Sequence, residues 1–252
     1  NIVVLSIILE DEIISFDNSV ITYLRKKRDT NSIKYIYYFI PIIRKTMNQK
    51  KVQKIESKIS KKFNTNIDEW LKNCKTGEND SYICYLIRND LIIEFIIYIN
   101  KNNISLSKII NSSVFETNDF LKKRKTNLIE YAAFFGSVQI FQYLRMNNVE
   151  MTASLWLYAI HGRSAEIIHF LEEDKIEPED VSYFECLLES IKCHHNEIAH
   201  YIQDNLVKEN DQKKVIECCF HYYNFQFLPD QFNDYQLIFQ YSCKYNLYEL
   251  VY

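Results

Sequence analysis

The sequence predicts an all-α chain of stacked helix hairpins preceded by an N-terminal helical unit, and three observations carry that expectation. Glycine and proline number only 3 each in 252 residues, which leaves almost no material for glycine-cradled phosphate loops or tight β-hairpins. Hydrophobic residues make up 47% of the chain, enough to fill one large core or two small ones. Apolar positions also recur every three or four residues along most of the length, the period of one helix face.

The first 80 residues read as three or four helices. Ile13, Ile14, Val20, Ile21 and Leu24 mark one face of the first, with Asp17 or Ser19 able to cap it by accepting a backbone N–H. Pro41 lies inside the apolar run from Tyr35 to Ile43 and is expected to kink or end a helix there. Val52, Ile55, Ile59 and Phe63 share one face of a further helix, whose other faces carry Lys51, Lys54, Lys58, Lys61 and Lys62; this one is amphipathic and basic. Lys75 to Ser81, holding Gly77, Asn79 and Asp80, is the clearest turn-forming cluster. It sets the expected boundary between residues 1–79, the helical unit, and residues 80–252, the repeats.

The repeat is best formed where Thr126-Asn127-Leu128-Ile129-Glu130-Tyr131-Ala132-Ala133 makes one helix and Val138 to Leu144 a second, with Gly136 between them. A shift of 27 residues carries Leu128 to Leu155, Ala132 to Ala159, Ile140 to Ile167 and Leu144 to Leu171. A further 31 carries Ile167 to Ile198 and Leu171 to Ile202. Upstream, Ile83, Phe95, Tyr98 and Ile99 fall in the same places, and near the end so do Ile238, Ser242, Glu249 and Leu250. The marker thus stands at 83, 128, 155, 186 and 238, with room for one degraded copy near 212–228, giving five to six units, the last truncated. A hairpin of this size cannot bury its apolar face alone and covers it only by stacking on its neighbours. The small residues Ala132, Ala133 and Ala159 allow adjacent units to approach closely, and Gly136 suits the left-handed end of a first helix.

These segments resemble the ankyrin repeat, in the divergent form of protist proteins whose repeats follow a helical N-terminal region. The resemblance rests on Thr126-Asn127-Leu128-Ile129, on Tyr131-Ala132-Ala133-Phe134-Phe135-Gly136, and on the second-helix strings Ala165-Glu166-Ile167-Ile168 and Asn196-Glu197-Ile198-Ala199. Asn127 stands where the family has proline, and Ile129 where it has histidine. The resemblance covers residues 80–252 and implies a protein-binding scaffold without catalytic residues, cofactor or small-molecule substrate.

Chemistry-bearing residues offer little against that reading. Cys186, Cys193, His194, His195 and His200 are the one cluster of metal-ligand types, but their spacing matches no common zinc motif. No metal is expected to contribute to folding, and chelation is expected to leave it untouched. Cys218, Cys219 and His221 read the same way. Cys193 beside His194, and Ser182 near Glu185, are neighbours in sequence without an orienting third group. The acidic run from Glu172 to Asp180 lacks the order of a calcium loop and reads as a solvated connection.

Charge is divided along the chain. Residues 1–126 carry 22 Lys and Arg against 14 Asp and Glu, and residues 127–252 carry 8 against 19. The stretch from Arg44 to Lys62 holds eight basic residues and one acid, Glu56, and Lys122 to Lys125 adds a second cluster. A basic-helix adaptor touching nucleic acid or anionic membrane through residues 44–62 is therefore the alternative to a protein-binding scaffold. Seven cysteines, an odd number without small-domain spacing, point to a reducing, cytoplasmic setting. The first residue is Asn rather than Met, so the chain is expected to be a fragment, with an upstream targeting segment left open and further repeats or a cap expected beyond Tyr252. The excess of 35 Ile and 23 Asn reads as codon bias.

Overall fold

A computed structural model describes residues 39–208, 211–228 and 235–247. The helix expected around residues 13–24 and the apolar residues Leu250 and Val251 lie outside them. Among the described residues the fold is all-α, and its strand-like element is one isolated antiparallel bridge between Ile109 and Asn127. The helices of the first half are α1 (Ile40–Thr46), α2 (Gln49–Phe63), α3 (Ile67–Thr76), α4 (Tyr82–Arg88), α5 (Ile92–Lys101) and α6 (Asp119–Lys122). Those of the second are α7 (Leu128–Phe135), α8 (Val138–Met146), α9 (Leu155–Gly162), α10 (Ala165–Glu173), α11 (Phe184–Lys192), α12 (Asn196–Asn205), α13 (Gln212–His221) and α14 (Tyr235–Lys244). A single 3-10 turn, Phe225–Phe227, follows α13. No helix among the described residues is long and apolar enough to cross a membrane.

The chain divides into two compact units, one containing described residues 39–85 and 110–125, the other 86–109 and 126–247. In the first, Pro41 stands at a helix start. It sits in the opening turn of α1, where its missing N–H would have had no intrahelical partner and its fixed φ is already helical. Pro41 therefore opens α1, and the segment before Phe39, where a helix ending or kinking at Pro41 was expected, lies outside the described residues. Asn48 and Asn66 cap α2 and α3, accepting from the backbone N–H of Lys51 and Glu69 at 3.3 and 2.8 Å. Trp70 is fully buried and meets the rings of Phe63 and Phe115 at 4.6 and 4.7 Å, over a core of Ile43, Val52 and Ile59.

The segment carrying Phe115 also corrects the expected boundary after residue 79. Thr117 donates both its backbone N–H and its hydroxyl to the Gly77 carbonyl, at 2.9 and 2.8 Å, and the Asn79 amide donates to the Asn111 carbonyl at 2.9 Å. Residues 110–125 thereby return to the N-terminal unit, and the turn at Gly77 is one of its interior corners.

In the second unit the helices pair as α7 with α8, α9 with α10 and α11 with α12, and the pairs pack like on like. First helices follow in series, α7 on α9, α9 on α11, α11 on α13 and α13 on α14, while α8 lies against both α5 and α10. Near 212–228, where a degraded copy was expected, α13 keeps full length and its partner has shrunk to the 3-10 turn.

Each first helix ends at a residue with left-handed backbone: Asp90, Gly136, Arg163, His194, Tyr223 and Asn246. One of the six is glycine. A non-glycine residue held there costs about 1–2 kcal/mol, and the chain carries that cost at Arg163, His194 and Tyr223. Asparagine also takes positions that codon bias would not select. Besides its N-caps, Asn102, Asn147 and Asn205 end second helices by donating a side-chain amide back to the carbonyls of Tyr98, Tyr143 and Tyr201, at 2.8–2.9 Å.

Ala132 and Ala133 are fully buried in α7. Ala132→Leu is expected to lower stability by about 1–3 kcal/mol through overpacking. Thermal unfolding checks this, and an unchanged Tm would mean that the position faces space the packing does not use.

Candidate functional site

Eleven of the residues that define the repeat, Leu128, Ala132, Ala133, Ile140, Leu144, Leu155, Ala159, Ile167, Leu171, Ile198 and Ile202, are buried. The twelfth, Gly136, forms a turn at φ 65°. The eleven build the interior and Gly136 a turn between helices, so a recognition surface has to be assembled from the residues between and beside them.

A polar seam runs across the first helices and ties each hairpin to the next. The Asn127 side chain and the Glu130 carboxylate cap each other's backbone N–H groups, both at 2.9 Å, and Glu130 also accepts the Ser154 hydroxyl at 2.8 Å. The Thr126 and Tyr158 hydroxyls meet at 3.1 Å. These bonds join α7 to the following hairpin. Further on, His194 donates to the Tyr222 carbonyl at 2.9 Å, and the buried Asn224 amide donates to the Ile191 carbonyl at 2.8 Å. On the second-helix side, Arg145 binds Asp174 through Nε and Nη2 at 2.6 and 2.7 Å and Glu173 at 3.1 Å. Tyr201 donates to Glu172 at 2.9 Å. The acidic run expected to be a solvated connection is therefore partly a set of latches.

One part of this seam gathers reactive groups. His161, in the last turn of α9, reaches Glu189 in the last turn of α11, Nε2 to Oε1 at 2.8 Å. The carboxylate can only accept, so Nε2 donates. Cys193, the residue that caps α11, brings its Sγ to 3.6 Å from His161 Nδ1 and 3.9 Å from Nε2. The three ligand atoms lie within 4.8 Å of one another, the one such group among the described residues. Phe134 stacks on the imidazole at 5.0 Å between centroids and fixes its plane. Lys192 Nζ binds both Glu189 oxygens, at 2.8 and 2.9 Å. Burial opposes the charge on Glu189, but hydrogen bonds from His161 and Lys192 outweigh it and hold the carboxyl down at about 2. Burial pushes the Cys193 thiol up to about 12.

Sequence reasoning singled out Cys193 but sought its partners among Cys186, His194, His195 and His200. Three of those four lie elsewhere: Cys186 is buried inside α11, His194 is the exposed turn residue, and His200 stacks on Phe227 at 4.6 Å, while His195 is half-buried beside the His161 backbone. The true neighbours, His161 and Glu189, were missed because the histidine belongs to another hairpin. The Glu-x-x-x-Cys spacing on α11 was the available signal.

The second candidate surface lies in the N-terminal unit. At about 100° per residue, Lys50, Lys51, Lys54, Lys58, Lys61 and Lys62 of α2 fall within an arc of roughly 120°, and all six are exposed. The opposite side is held by buried Val52 and Ile59, and Glu56 is engaged by Arg44 at 2.7 Å. The apolar side of α2 is thus committed to the core and the lysine side faces water.

Comparison with family models, curated proteins and solved structures finds no match to this chain.

Proposed function

We propose that the chain is a non-enzymatic protein-interaction scaffold of ankyrin type, in which consecutive hairpins offer their first helices and the loops between repeats as one continuous recognition face. The observation that carries this reading is the like-on-like series of first helices, each closed by the same left-handed turn. Such a series aligns side chains from several hairpins, Leu157 and Leu188 among them, in a row that no single hairpin could present. Both leucines are half-buried, apolar enough to anchor a partner. The reading is supported by the state of the thiols: burial pushes Cys193, Cys74 and Cys219 up to about 12 and Cys218 up to about 11. At neutral pH they stay protonated and are poor nucleophiles. Uncharged thiols also suit a reducing, cytoplasmic setting.

The alternative, a basic adaptor for nucleic acid or anionic membrane, draws on the lysine arc of α2. Affinity capture from native cells, repeated with two variants, separates the readings. For the scaffold, Leu157→Asp with Leu188→Asp should abolish capture, and raising salt should change it little. For the adaptor, Lys54→Glu with Lys58→Glu should abolish it instead. The adaptor's affinity should also drop by about 10³ or more between about 50 and 200 mM salt if all six lysines engage phosphates.

A further inference from the structure

We propose that His161, Glu189 and Cys193 form a zinc-binding site between two adjacent hairpins. The site rests on side-chain geometry and is independent of the scaffold reading. One nitrogen, one oxygen and one sulfur ligand converge from α9 and the end of α11, with Oε1 and Sγ at 2.8 and 3.9 Å from Nε2 and all three atoms within 4.8 Å. That triangle is close to the one formed by ligands around an ion at about 2.0–2.3 Å from each. The donor set suits zinc: a thiolate and an imidazole disfavour calcium and magnesium, which take oxygen ligands.

The surroundings favour a cation. Cys193 caps the C-terminal end of α11, where the aligned peptide dipoles place partial negative charge. The His161 and Glu189 side chains keep 14% and 16% of their surface exposed, which leaves an open side for the ion to enter and for water to complete a tetrahedron. The stacked Phe134 holds the imidazole plane while its tautomer changes. On binding, the sulfur–zinc bond replaces the S–H bond of Cys193, whose proton leaves to solvent, and the imidazole proton moves from Nε2 to Nδ1. Lys192 is the competing cation. Its side chain is 39% exposed, so it can release Oε1 and keep Oε2.

No common zinc motif reveals this set, since its histidine stands 28 and 32 residues from Glu189 and Cys193, in another hairpin. The proposal replaces the expectation that metal plays no part.

The test uses cobalt(II) as a spectroscopic stand-in for zinc. Titrating the whole chain, with helicity followed by circular dichroism, is expected to show one bound ion, tetrahedral visible bands and a sulfur-to-cobalt charge-transfer band, all displaced by zinc. Cys193→Ser should abolish the charge-transfer band and His161→Gln should weaken binding at least about tenfold, whereas Cys218→Ser should do neither. Lys192→Gln should tighten binding roughly tenfold by removing the competing charge, and this variant decides the matter even if the ligand variants fold poorly. Absence of the charge-transfer band in the native chain, its persistence in Cys193→Ser, or weaker binding by Lys192→Gln would each overturn the proposal.

Discussion

Replacing Gly162 with alanine is expected to cost about 3 kcal/mol or more, at the upper end of what overpacking does. An added Cβ there falls deep inside the contact distance of the Ala133 carbonyl oxygen and reaches 2.8 Å from the Gly136 backbone nitrogen and 3.2 Å from the Ala133 carbonyl carbon. All three are backbone atoms, so no rotamer change relieves the clash and the hairpins α7–α8 and α9–α10 must move apart. Gly162 does not have a positive φ, which makes the substitution a clean test of close approach. Gly136 combines two demands, a left-handed φ of 65° and a Cβ position 2.7 Å from the Gly162 oxygen. Arg163 shows that the left-handed turn alone is tolerated without glycine. Urea unfolding with the slope monitored checks the expectation. A loss below about 1 kcal/mol would mean that the two hairpins do not meet backbone to backbone at this seam.

What the sequence revealed and what it hid differ in range. Helical content and the positions of α7 to α12 were legible because they follow from local apolar spacing, as from Leu128 to Leu144 and from Leu155 to Leu171. At 212–228, where a degraded copy was expected, stand one full-length helix and a 3-10 turn. Proline both ends helices and opens them, and for Pro41 the opening role became visible only with the first turn of α1. The return of residues 110–125 to the N-terminal unit depends on Thr117 reaching Gly77 and Asn79 reaching Asn111, contacts made across a whole hairpin of intervening chain. The turns at Arg163, His194 and Tyr223 were hidden for another reason. The usual mark of a left-handed residue is glycine, and this chain pays for the turn with packing instead. Only part of the cluster at His161 was legible, because Glu189 and Cys193 share α11 and its cap while the histidine comes from another hairpin, and repeat spacing aligns like positions without saying which unlike ones touch.

That cluster also makes a prediction about acid stability. In chelator, so that no ion contributes, Glu189→Gln is expected to lower stability at neutral pH and to flatten the acid limb of the stability curve. The Glu189 carboxyl is held at about 2 in the folded chain against an ordinary 4.5. A folded value below the unfolded one means that the unfolded chain binds the proton first, so the contribution is fully present above pH 4.5 and is lost as pH falls through about 2. The shift corresponds to about 3 kcal/mol, and some water access at the side chain brings the expected loss to roughly 2–3 kcal/mol. Glutamine can still accept from His161, so what is removed is mainly the charge that holds Lys192. The Lys192 ammonium, half-exposed, turns to water at little cost, which keeps the variant foldable. Urea unfolding of both proteins from pH 7 down to 2 makes the comparison. The native chain should lose more stability than the variant between pH 4.5 and 2, and the two curves should converge at the acid end. Parallel curves over that interval would show that Glu189 titrates as an ordinary carboxyl and that the latch between α9 and α11 contributes nothing through its charge.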